Sequence, residues 1–181
     1  MLDEERTLFG KTLASVCGEM LTGTTVQSTS NPGAASAETE DDKERVFASV
    51  GLAGPNFRGS LSILGTPAFF RSVYPPELGK TTPEARDLDD WACEITNQLL
   101  GRFKNQLARL GLDFGLSTPT VVRGKHLHVS APSRPVAMVN LRQDRHVAHV
   151  FLEITHEDGH PLLPPDGKPT EASLEGEGGL F

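Results

Sequence analysis

The segment from about residue 83 to 110 most constrains what this chain can fold into. At about 100° of rotation per residue, Leu88, Ala92, Ile95, Leu99, Phe103 and Leu110 fall within a stripe about 80° wide. The segment therefore reads as a long amphipathic helix whose core-facing side is fixed, and that side must be buried against a second layer. Thr82 and Pro83 supply its opening, and Gly111 supplies the left-handed residue that closes it.

Ahead of this helix the period drops to two. Val46, Ala48, Val50 and Leu52 share one face, Gly54, Pro55 and Asn56 make a turn, and Phe57, Gly59, Leu61 and Ile63 alternate again, which predicts a β-hairpin. Thr66 as N-cap and Pro67 as first helical residue then open a short helix that ends in "YPPELGK". A first helix is expected over about 4–22, from the spacing of Leu8, Leu13, Val16, Met20 and Leu21 with Gly23 just beyond. After the long helix, "TPTVVRGKHLHVS", "RPVAMVNLR" and "HVAHVFLEIT" read as three strands, the last two joined by a tight turn.

Hairpin-linked strands form an antiparallel sheet, and two long helices can cover one of its faces. The expected fold is thus an α+β two-layer sandwich. A chain of 181 residues with 37% hydrophobic content suits one domain. It is placed at 1–156, with a polar, acidic loop at 28–44 that has nothing to bury, and a Pro-, Gly- and acid-rich tail at 157–181 expected to be disordered.

With 17 basic against 24 acidic residues the net charge is −7, and the cations are scattered, which argues against nucleic acid or an anionic membrane as partner. The acidic start "MLDEERTLFG" lacks the features of a signal peptide, and no run reaches the ~18 apolar residues of a membrane span, so a cytoplasmic, soluble protein is expected. Cys17 and Cys93 lie in helical segments without companions and read as small buried groups.

On the long helix, Asp90, Glu94, Asn97 and Gly101 form a second stripe opposite the apolar one and must face outward. A carboxylate and an amide one turn apart can touch the same partner, and Gly101 leaves a flat place where another surface can approach. Asn97 cannot serve as base or nucleophile, because its amide does not titrate near neutrality, but it can orient a water through donor and acceptor together. Polar residues on a solvated helix face also need no function at all.

Those residues carry a resemblance. "DWACEITNQLLG" is similar to the signature of the CheC/CheX/FliY family of chemotaxis phosphatases: Asp90, Glu94 and Asn97, followed by Pro119 a little over twenty residues later. The order of elements over about residues 4–156 is also that of the family. A faint internal echo aligns Gly23 with Gly101 and sets Val16 opposite Glu94 and Glu19 opposite Asn97, so only one Glu-x-x-Asn pair is present and the chain resembles CheX more than two-site CheC.

The resemblance implies dephosphorylation of a phosphorylated CheY-like receiver domain. It assigns Asn97 to orienting the attacking water and Glu94 to pairing with the receiver's active-site Lys; Asp90, which is part of the signature, and Gly101, the flat place on the same face, are the candidate binding residues beside them. The aspartyl phosphate and the Mg2+ would belong to the receiver, so the chain would need no metal or cofactor of its own. A homodimer joined through the sheet is a further implication.

Two other classes stay open: a non-catalytic receiver-binding or dimerisation adaptor of the same fold, and an unrelated α+β domain with a buried ligand pocket. A metal site is not expected. His126 and His128 share a strand face, but His146 and His149 point to opposite faces, and "HEDGH" lies in the tail without the helix that zinc-binding motifs of that kind use. Trp91, at the border of the apolar stripe, is expected to pack in the core, and Lys104 to be a solvated cation.

Overall fold

In a computed structural model, residues 3–29, 43–79, 81–127, 135–156 and Leu162 are described. They form three α-helices and seven strands: α1 (Asp3–Met20), β1 (Thr25–Thr29), β2 (Arg45–Ala53), β3 (Phe57–Gly65), α2 (Pro67–Ser72), α3 (Ala85–Ala108), β4 (Gly115–Leu116), β5 (Thr120–Gly124), β6 (Ala137–Gln143) and β7 (His146–His156). A 3-10 turn at Pro76–Leu78 links α2 towards α3. All strand pairs are antiparallel, in the order β1, β6, β7, β3, β2, with β4 and β5 both pairing with the outer side of β2.

Register carries the alternation straight into the core. Val50 pairs with Leu61, Leu61 with Leu152, and Leu152 with Ala137, so one face of four strands is continuously apolar and fully or nearly fully buried. Two long helices cover that face: α1 lies on β6 and β1, α3 on β2, β3 and β5, and the helices touch each other. Phe9 of α1 and Phe103 of α3 meet edge to face, with ring centroids 6.1 Å apart, at this seam. The α+β two-layer sandwich is as the sequence predicts.

The differences lie at edges and ends. β1 includes Ser28 and Thr29, which the sequence assigns to the loop, and β4 is also unanticipated. Both are short edge strands with partners on one side, where pairing requires no apolar alternation. Residues 30–42 of the expected loop lie outside the described residues, as does most of 157–181. Leu162, the one described residue of the segment expected as a tail, is buried against the core, and its N–H donates to the buried Glu5 carboxylate at 2.6 Å.

α3 starts two residues later than Pro83. Its N-cap is Glu84, whose N–H donates to the Asp87 carboxylate at 2.9 Å, and Pro83 is buried ahead of it. At the other end Leu112 N–H returns to the Leu107 carbonyl at 3.1 Å over Gly111, whose φ of 81° is the left-handed closure expected. With both ends tied and one side locked in the core, the direction of the opposite side is determined.

Candidate functional site on the outward face of α3

The apolar stripe of α3 is buried as predicted: Leu88, Ala92, Ile95, Leu99 and Phe103 are 0–1% exposed, joined by Thr96, Leu100 and Leu107, while Leu110 sits beyond the last turn and is half-buried. On the other side Asp90, Glu94 and Asn97 are exposed and Gly101 is half-exposed. A Cβ placed on Gly101 would meet nothing within 4 Å, so the surface there is flat and open. The four residues are brought together as one stripe.

Within the stripe the polar groups are not equivalent. Gln98 Nε2 donates to Glu94 Oε1 at 2.5 Å, one turn along the helix, which orients that carboxylate without covering it. The Asn97 amide makes no hydrogen bond to any described residue, so donor and acceptor both face solvent. Pro119 is half-buried in the link between β4 and β5.

Two residues that sequence reasoning passed over fix the start of this stripe. Arg123 on β5 donates from Nε and Nη2 to Asp89 Oδ1 at 2.9 and 2.6 Å, from Nη2 to the Ala85 carbonyl at 2.9 Å, and from Nη1 to Glu44 Oε2 at 3.1 Å. The guanidinium thus pins the first turn of α3 to the sheet, which turns Asp89 inward and leaves its neighbour Asp90 outward. The one available signal was an Arg in the otherwise apolar strand "TVVRG"; its partner lies 34 residues away.

Other expectations near the site are refined. Trp91 is half-buried and meets Tyr74 edge to face at 6.1 Å, and its buried Nε1 has no acceptor among the described residues. Lys104 pairs with Asp113 at 3.1 Å and lies 6.0 Å from the Phe114 ring, so it leans towards the loop after α3. The Cys93 thiol is pushed up by burial, then by the Asp90 and Asp89 carboxylates, which disfavours a nucleophilic thiolate here.

Helix α1 does not repeat the arrangement. Val16, which the internal echo sets against Glu94, is fully buried, and Glu19, set against Asn97, is exposed and accepts from Ser15 Oγ at 2.8 Å. Among the described residues no cluster of three or more His, Cys, Asp or Glu could hold a metal ion. His146 and His149 are each half-buried, His149 Nδ1 lies 2.8 Å from Asn140 Oδ1, and His128 falls outside the described residues. No helix among the described residues is long and apolar enough to cross a membrane.

The fold recurs in solved chemotaxis proteins. A CheC-like protein from Shewanella oneidensis is 24% identical with a TM-score of 0.62, over 81% of this chain and 95% of that one. CheX from Vibrio vulnificus is 22% identical with a TM-score of 0.63, over 81% and 96%. The CheX of a CheX-CheY-BeF3-Mg2+ complex from Borrelia burgdorferi is 20% identical with a TM-score of 0.53, over 82% and 96%. No curated protein sequence matches significantly. The family described as chemotaxis phosphatase CheX matches residues 46–142, just over half of the chain and including all of α3 with its outward stripe, and the chain belongs to that family.

Proposed function

We propose that this chain hydrolyses the aspartyl phosphate of a CheY-like receiver domain, with Asn97 and Glu94 as the residues it inserts into the receiver's active site. The observation that carries the reading is the Asn97 amide, outward and without an internal partner, one turn from an outward Glu94 on a helix whose other side is locked in the core. An orienting group has to be held rigidly, and α3 is held at both ends and along its length.

Acyl-phosphate hydrolysis asks for an in-line water and charge neutralisation. The water oxygen attacks phosphorus, the bond to the aspartyl oxygen breaks, and the carboxylate leaves. Asn97 accepts a hydrogen bond from the water and donates one beside it, aligning the attack. Glu94, steadied by Gln98, pairs with a receiver lysine and sets the docking register, while Asp90 and Gly101 complete the contact surface. In this reading the receiver contributes the phosphate and Mg2+; the CheX-CheY-BeF3-Mg2+ complex from Borrelia burgdorferi supports a CheY-like receiver as the partner. Among the described residues β1 is an edge strand, and it carries no charge, which supports a homodimer that continues the sheet.

The test is the phosphate lifetime of purified receivers from the same host. Wild-type protein shortens it, and Asn97→Ala removes on the order of 100-fold of the acceleration with little change in receiver affinity. Glu94→Ala mainly weakens binding. A receiver that binds with its phosphate lifetime unchanged selects the adaptor reading instead.

A further inference from the structure

Away from α3, a concavity of about 530 Å³ gathers arginines from three segments distant in sequence: Arg45 at the start of β2, Arg71 at the end of α2, and Arg145 in the β6–β7 turn. Among the described residues one carboxylate shares the lining, Glu44, and it is engaged by Arg123. This concentration of positive charge stands on a chain whose net charge is −7. Clustered like charges repel, and their upkeep on an acidic protein points to an anion that neutralises them. Arg45 adds a second sign: its Nε is buried with no acceptor among the described residues, a donor left unsatisfied in the wall of the pocket.

The rest of the lining limits the kind of anion. Pro67, Ala68 and Val147 give the pocket an apolar side, and Thr66 and His146 stand beside it. Arginine forks match phosphate oxygens, the apolar side suits a flat organic body, and the volume is that of small-molecule sites, which run about 300–1,000 Å³. We infer that this pocket binds a phosphorylated small molecule of the nucleotide class, its phosphates on Arg45, Arg71 and Arg145 and its base against Pro67 and Val147. None of the lining residues belongs to α3, so the site is separate from the proposed catalytic face and independent of that reading.

Calorimetric titration of the full chain at low ionic strength tests it, with ATP, GDP, pyrophosphate and adenosine as probes. The expected result is that ATP or GDP binds at least tenfold more tightly than pyrophosphate, while adenosine does not bind. Arg71 and Arg145 are exposed, so the pair Arg71→Ala and Arg145→Ala should keep the wild-type thermal unfolding curve and lose tenfold or more in affinity. Arg58→Ala, an exposed cation elsewhere on β3, should bind as wild type does. No nucleotide binding up to millimolar concentrations, pyrophosphate binding as tightly as nucleotide, or equal losses in the Arg58 variant would each overturn the assignment.

Discussion

Helices α1 and α3 bury similar inward faces and present different outward ones. Inward, Phe9, Leu13 and Val16 of α1 lie in the same core as Leu99, Leu100 and Phe103 of α3, and the two phenylalanines meet across the seam. Outward, α3 shows an unpaired amide beside a carboxylate, whereas α1 shows Glu19 bonded to its own Ser15. Packing constrains only the inward side of such a helix, so the outward side is free to carry chemistry on one helix and none on the other.

The seam is where the helices depend on each other, and its disruption has the largest expected effect. Phe103→Ala should cost about 3–5 kcal/mol, because the ring is fully buried and the cavity opens between both helices and the sheet. Denaturant unfolding measures it; a loss below about 1 kcal/mol would mean that the helices pack on the sheet independently. Next in size is the contrast between outward faces. Asn97→Ala should reduce receiver dephosphorylation by on the order of 100-fold, equivalent to about 2.7 kcal/mol, and Glu19→Ala should leave it unchanged. A comparable loss from Glu19→Ala would place a second site on α1.

What could be read beforehand divides along the same line. The hairpin, the buried stripe of α3 and the outward stripe were legible because each is a repeat of two, or of three and four, along a single element. The helix geometry alone set Glu94 and Asn97 on one side. Contacts between segments were not legible: Arg123 reaches Asp89 across 34 residues, and the cationic pocket is assembled from three separate places. Edge strands β1 and β4 left little pattern because edge pairing constrains backbone more than side chains. The echo between helices set Val16 opposite Glu94, but similarity around a glycine does not say which way a side chain faces, and Val16 is buried where Glu94 is exposed.

Gly101 separates stability from docking on α3. Nothing lies within 4 Å of an added Cβ, so Gly101→Ala should stabilise the free protein by about 0.5–1 kcal/mol through helix propensity. If the flat place serves close approach of a receiver, the same variant should bind its receiver several-fold more weakly. Stabilisation with unchanged affinity would remove Gly101 from the docking surface and leave Asn97 and Glu94 untouched.

The smallest effect compares the two thiols. Burial pushes Cys17 on α1 up to about 12, and Cys93 on α3 is raised by partial burial, then by Asp90 and Asp89. The thiolate is the reactive form, so both thiols are protonated at neutral pH, and labelling of Cys93 by a maleimide should be slow and rise about tenfold per pH unit. Cys17 should label only on unfolding. Asp90→Asn removes one negative neighbour, which lowers the Cys93 pKa and should speed its labelling about two- to fivefold at fixed pH, with Cys17 unaffected. Native labelling of Cys17 at the rate of Cys93 would show that the layer beneath α1 opens as readily as the face of α3, and the contrast between a sealed helix and a presenting one would then rest on Asn97 alone.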